Sequence, residues 1–200
     1  MKLVVGLGNP GSQYTGTRHN VGYETVEFLA YRLGWTRGCN EFDRRAKAKF
    51  DGLAMDGPAS IGGVSDKLLL LKPTTFMNAS GRAVQQAVAF YQLPPTDLMV
   101  VLDDMALPCG RLRLRNGGSS GGHNGLKDIE QLLGTDQYPR LRIGIDAPPP
   151  RRPWRDYVLE RFTEAQRDLV DPAITRAADA VLVWMKDGIE AAMNLYNAAE

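Results

Sequence analysis

Two histidines, His19 and His123, are the side chains of this 200-residue sequence that can exchange a proton near neutral pH without special tuning. His19 lies in GLGNPGSQYTGTRHNVG, residues 6–22, a glycine-rich segment between an apolar run and an apolar-periodic one. A loop this rich in glycine lets side chains approach a ligand closely. Other polar residues follow short apolar or alternating runs in the same way. Asn9 follows Leu3-Val4-Val5, Phe76-Met77-Asn78 follow KLLLLK, Asp103 follows LMVVL, and His123-Asn124 follow RLRLR. In open α/β sheets, ligands bind outside the carboxyl ends of the strands. If these strands are parallel neighbours, a histidine, a carboxylate and several amides converge there. An aspartate can orient a neutral imidazole and stabilise its charged form. The imidazole can then deprotonate a water, while asparagines both donate and accept to hold a peptide-like substrate and its oxyanion. Each residue also has a plainer use. Asn9, Asn20 and Asn124 suit caps or turns, Asp103 suits the turn after a strand, and His123 could cap the Gly-rich turn. Two histidines without cysteine or carboxylate spacing are too few for a metal cluster, so no metal or other cofactor is expected. Cys39 and Cys109 are isolated and match no metal or redox spacing.

The elements that must position these residues follow from pattern. Residues 2–5 read as a first strand, and 21–33 as a helix with Asn20 at its N-cap and Gly34 past its end. Residues 46–55 begin with strand-like alternation, and the Gly-, Pro- and Ser-rich residues 56–66 read as a loop between hairpin strands. Residues 67–72 and 98–102 are buried-strand runs separated by a helix over 80–92. Arg111–Arg115 alternates strictly and suits an exposed or edge strand. A helix over 124–133 and a last strand over 140–145 follow. Residues 146–154, DAPPPRRPW, cannot form regular structure, because proline breaks both kinds of backbone ladder. Thr163 to Gln166 has capping-box spacing, and Asp171-Pro172 is expected to restart a helix that runs to about Tyr196. Buried strands alternating with helices indicate an α/β fold, and the alternating strands add antiparallel edges to a mixed, mostly parallel sheet.

The length suits one domain. No apolar run of transmembrane length occurs, and the first strand starts at once, which leaves no room for a signal or transit peptide. A reduced, cytoplasmic protein is expected. The net charge of +1 hides an asymmetry. Residues 111–155 carry nine basic and four acidic side chains, a local +5, and residues 156–200 carry four basic and nine acidic, a local −5. A basic segment beside an acidic one suggests a polyanion partner on one face.

Two motifs mislead. GLGNPG at 6–11 matches the dinucleotide fingerprint, but that motif should open directly into a helix. Here Pro10 interrupts it and eight residues separate Gly11 from Asn20. GGSSG at 117–121 matches the nucleophile elbow of serine hydrolases, but no acid stands between Ser119 and the only later histidine, His123.

The segments GLGNPG (6–11), TRHNVG (17–22), KPTTFMN (72–78), SGRAV (80–84), GGHNGLKD (121–128) and RLRIGI (140–145) resemble the bacterial-type peptidyl-tRNA hydrolases. The resemblance spans essentially the whole chain. It implies a single α/β/α domain, usually monomeric and cofactor-free, that hydrolyses the ester joining a peptide to the 3′ end of tRNA. By that resemblance His19 is the general base and Asp103 keeps it basic. Asn9 helps distinguish N-blocked from free aminoacyl-tRNA, Asn78 and Asn124 hold substrate and water, and Tyr14 and Phe76 line the channel. Arg115 and Arg140 fall where the family clamps a tRNA phosphate, a task suited to guanidinium. Two stretches depart from the family pattern: the segment 56–66 is longer than usual, and DAPPPRRP at 146–153 replaces a more glycine-rich lid, expected over about 146–157. The competing class is a non-catalytic RNA-binding relative of the same fold, of the kind that serves intron splicing.

Overall fold

A computed structural model describes residues 1–61 and 63–198. Seven strands form one sheet: β1 (Lys2–Gly6), β2 (Lys47–Lys49), β3 (Gly52–Ile61), β4 (Val64–Pro73), β5 (Leu98–Asp104), β6 (Leu112–Arg115) and β7 (Arg140–Gly144). Their order is β2-β3-β4-β1-β5-β7-β6. β4, β1, β5 and β7 run parallel, while β2, β3 and β6 add antiparallel pairs at the two sides. The mixed sheet is the one expected. The helices are α1 (Val21–Arg32), α2 (Phe42–Arg45), α3 (Ser80–Tyr91), α4 (Asn124–Leu133), α5 (Trp154–Val158) and α6 (Glu164–Tyr196).

The central strands are apolar on both faces because both are covered. Val4, Leu68, Leu70 and Val101 face a core shared with α1 and α6. Leu3, Leu69, Leu71 and Val100 face a second core shared with α3 and α4. α1 sits close against the sheet because Gly22 has no side chain: a Cβ there would lie 2.4 Å from the Val101 carbonyl oxygen. That approach brings the residues just before α1 over the carboxyl ends of β1 and β5.

Of the residues 56–66 expected as a loop, 56–61 and 64–66 are strand instead, and residue 62 lies outside the described residues. β3 and β4 pair in an unbroken antiparallel register from Gly52↔Pro73 to Ile61↔Val64. The Gly and Pro have local reasons. β2 pairs with β3 only at 52–54, so the outer side of β3 beyond Ala54 is free. The Pro58 carbonyl accepts from Trp35 Nε1, so its nitrogen faces that free side too and costs no ladder bond. Gly57 lets the Trp35 ring lie against the strand, where a Cβ would meet it at 2.9 Å.

α6 begins at the expected capping box, with Thr163 and Gln166 bonded reciprocally. It does not restart at Asp171. The helix passes through Pro172, forgoing one bond, to the carbonyl of exposed Asp168. The break falls at Gly188, with φ 88° and ψ 173°. Beyond it, Asn197 bonds the backbone of Leu114 through both ends of its amide, at 2.6 and 3.0 Å, and so covers part of the β6 edge. Among the described residues no helix is long and apolar enough to cross a membrane.

Candidate active site

The carboxyl ends of β4, β1 and β5 lie side by side, and the polar residues that follow these strands meet there. His19 sits in a short turn, Arg18–Asn20, that runs straight into α1. Its Nδ1 is 2.8 Å from Oδ1 of Asp103, the penultimate residue of β5. The same oxygen lies 3.2 Å from His123 Nε2. His123 also caps α4, its Nδ1 accepting from Leu126 N at 3.4 Å. That bond leaves the His123 proton on Nε2, which donates to Asp103. Asp103 therefore receives two N–H donors, and His19 is held with Nδ1 protonated and the Nε2 lone pair free. Burial pushes the Asp103 carboxyl upward, but the charge and hydrogen bonds of the two histidines outweigh it and hold the group well below the usual carboxylate range.

A cavity of about 510 Å³ opens over this cluster, lined among others by His19, Asp103, Ser120, Asn124, Arg142 and Trp154. Asn9 is buried on the other flank. Its Oδ1 accepts from Met77 N at 2.8 Å, and its own backbone N–H and C=O pair with the Asn20 side chain at 2.8 and 3.0 Å. The Asn9 Nδ2 has no partner among the described residues, so a fixed amide donor is left over. Asn20 spends its side chain on Asn9 instead of capping α1. Asn9 lines a neighbouring cavity of about 340 Å³ rather than the larger one. Tyr14 and Phe76 stack edge-on with centroids 6.4 Å apart, and Phe76 is 58 % exposed. Asn78 and Asn124 are exposed.

The arginines divide. Arg113 pairs with Arg142 and Arg115 with Arg140 across β6 and β7, so all four lie on one face. Arg113 and Arg115 are exposed. Arg140 has no exposed surface. Its guanidinium donates to the carbonyls of Gly118, Ser119 and Asp136, contacts Glu130, and stacks 4.5 Å from the Tyr138 ring centroid. A phosphate cannot reach it in this arrangement. Arg142, which the sequence reading passed over, reaches the large cavity and is held by Asp104 at 3.3 Å and by the Ser119 carbonyl at 3.2 Å.

A family model described as peptidyl-tRNA hydrolase matches residues 3–200. The chain belongs to the peptidyl-tRNA hydrolase family. A relative named peptidyl-tRNA hydrolase from Desulfitobacterium hafniense is 45 % identical over 197 residues, covering 98 % of this chain and 100 % of its own. One of the same name from Rhodopirellula baltica is 43 % identical over 199 residues, covering 100 % of this chain and 98 % of its own. The crystal structure of the Acinetobacter baumannii peptidyl-tRNA hydrolase superposes with a TM-score of 0.86 at 37 % identity, covering 100 % of this chain and 96 % of that one.

Three readings from sequence gain detail from the structure. The sequence offers too few spaced ligands for a metal, yet His19, Asp103 and His123 place one possible ligand atom each within 4.8 Å of one another. Their hydrogen bonds explain the grouping otherwise: a cation would have to displace both donors on Asp103 and the proton that Leu126 N–H keeps on His123 Nε2. His123, read from the sequence both as one of the polar residues at strand ends and as a cap of the Gly-rich turn, caps α4 and also holds Asp103. Its i→i+3 relation to Leu126 was readable in the sequence, but its contact with Asp103, 20 residues away, was not. The proline-rich stretch is largely irregular, but Trp154 already begins α5, and Tyr157 anchors that helix through its OH to the Ile145 carbonyl at 2.7 Å.

Proposed function

We infer that this peptidyl-tRNA hydrolase cleaves the ester between a peptide and the 3′ end of tRNA with His19 as general base. The observation that carries the reading is the 2.8 Å bond between His19 Nδ1 and buried Asp103, which leaves Nε2 free beside a cavity. A water gives its proton to Nε2 as its oxygen attacks the ester carbonyl. The oxyanion is met by an amide donor, for which the exposed Asn124 amide is suited, while the uncommitted Asn9 Nδ2 in the neighbouring cavity helps distinguish an N-blocked substrate from free aminoacyl-tRNA. Collapse breaks the ester C–O bond, and the imidazolium returns the proton to the ribose oxygen. The products are a peptide carboxylate and tRNA with a free 3′ end.

Asn78 serves the substrate beside Asn124, and Tyr14 with Phe76 offers a stacking surface for the tRNA end and the first peptide residues. Exposed Arg115 serves a tRNA phosphate, now with Arg142 rather than Arg140 as its companion. Arg140 acts one step back, tying loop 117–119 to the strand beneath it. Residues 146–157 act as a lid through Pro148 and Trp154, which line the cavity. The enzyme works as a cytoplasmic monomer and needs no cofactor. The intact His–Asp pair favours catalysis over a purely RNA-binding role. Incubation with N-acetyl-aminoacyl-tRNA and with the unblocked form tests this: release of tRNA from the blocked substrate alone is expected, and release from neither rejects it.

A further inference from the structure

At the β2 edge of the sheet, far from His19 in the strand order, aromatic and cationic side chains form a second grouping. Lys47 pairs with Ala54 and Lys49 with Gly52, so both lysines lie on the α3 side of the sheet, where Ala54 joins the core. Lys49 Nζ stands 3.8 Å from the Phe90 ring centroid and 4.5 Å from that of Phe50. Phe90 packs on Phe50 at 5.4 Å and on Tyr91 at 4.8 Å, yet remains 61 % exposed. Neither Lys47 nor Lys49 has a carboxylate partner among the described residues.

The turn beneath this group is strained. Phe50 and Asp51 have φ of 58° and 46°, left-handed values that a two-residue hairpin usually gives to Asn-Gly. Asp51 is held there by Arg82 at 2.7 Å and Gln86 at 2.8 Å, and its carbonyl accepts from Thr74 N at 2.8 Å. Outliers of this kind persist only where the surroundings hold them and tend to mark function. Lysines on an edge strand also guard against pairing with another chain. That accounts for Lys47 and Lys49, but not for an aromatic ring in a left-handed position under an exposed phenylalanine.

We propose that this platform binds single-stranded RNA, independently of ester hydrolysis. A base stacks on the open face of Phe90, and Lys47 and Lys49 take the flanking phosphates. Sequence-tolerant stacking beside cations is the common way of holding a single strand. Six strand spacings, about 29 Å, separate β2 from β6 and Arg115, so the platform is distinct from the arginine face.

The test is fluorescence anisotropy with a labelled ten-nucleotide oligouridylate and with a short RNA duplex, on wild type, Phe90→Ser, Phe90→Tyr and the double variant Lys47→Gln/Lys49→Gln. Phe90→Ser should weaken the single strand at least about fivefold and leave the duplex unchanged, and Phe90→Tyr should restore binding. The double variant should flatten the log affinity–log salt slope by about 1.4 at most, for two phosphates. Hydrolysis of N-acetyl-aminoacyl-tRNA should be unchanged in all three, which separates this result from the catalytic reading. Equal oligonucleotide binding by wild type and all variants overturns the proposal. So does loss in the lysine variant with none in Phe90→Ser, which reduces the patch to guarding lysines. Tighter binding of an acidic decapeptide than of the oligonucleotide reassigns the surface to a protein.

Discussion

The interior of the site and its rim are built on opposite terms. Inside, His19 Nδ1, Asp103 Oδ1 and His123 are buried or half-buried and bonded to one another, and Asn20 and Met77 fix Asn9 from two sides. At the rim, Phe76, Asn78, Asn124 and Arg115 are exposed, and their side chains have no hydrogen-bond partner among the described residues. The interior is thus in working geometry before substrate arrives, which is what electrostatic preorganisation requires. The rim acquires partners only from a ligand. Substitutions inside should therefore cost turnover, and those at the rim should cost affinity.

The largest effect should come from His19→Ala. Turnover of N-acetyl-aminoacyl-tRNA should fall by at least about a hundredfold, as for loss of a general base, with the circular dichroism spectrum and tRNA binding kept. Activity within threefold of wild type, by release of labelled peptide, would sink the assignment.

Asp103→Asn should lower turnover less than His19→Ala. Removing the carboxylate removes what favours imidazolium, so the acid limb of the pH–rate profile should move to lower pH, and an upward move counts against the pairing. The wild-type carboxylate titrates below its unfolded value. The stability it contributes is present above about pH 4 and is lost as the solution becomes more acidic than that. Asp103→Asn should accordingly flatten the acid side of a melting temperature–pH series, and an unchanged acid side rejects the depressed carboxyl.

The two cross-strand arginines sharpen the comparison. Arg140→Leu should cost about 1–3 kcal/mol of stability by urea titration, because it strips partly buried carbonyls of their donor. Arg115→Ala should leave stability unchanged, raise KM more than it lowers kcat, and reduce the salt slope of KM by about one unit at most. Arg142→Ala should behave as Arg115→Ala does. Parallel salt plots for wild type and the Arg115 and Arg142 variants would reject the phosphate contact while leaving the chemistry intact.

The smallest effect should be Asn78→Ala, a few-fold rise in KM with kcat nearly kept, since its amide makes no bond among the described residues. A hundredfold fall in kcat instead would move Asn78 from the rim to the reacting centre.

Much of this was legible in order along the chain. The apolar runs that became β1, β4 and β5 identify their own carboxyl ends, and with them His19, Asp103 and Asn78. Strict alternation in RLRLR suited an exposed or edge strand, and β6 is an edge strand of the sheet with Leu112 and Leu114 buried on one face. Arg140 shows where the pattern stops. Alternation puts Arg140 and Arg142 on one face of β7, but only the path of loop 117–119 decides which of them is covered. The Gly and Pro of 56–61 misled for a similar reason, because Trp35, some 20 residues earlier in the chain, is what they accommodate.

By itself the sequence determined whatever depends on neighbours within a few residues: the capping box at Thr163, the left-handed Gly134 that ends α4, and the strand runs. These are bonds between backbone and side chain over three or four positions, and composition suffices to write them. Only the tertiary structure decided that one oxygen of Asp103 serves both histidines, 84 residues from one and 20 from the other. That meeting depends on the register of β1 against β5 and on the seating of α1 at Gly22. Neither is encoded in any one stretch, because each is a balance of packing among segments that are distant in the chain.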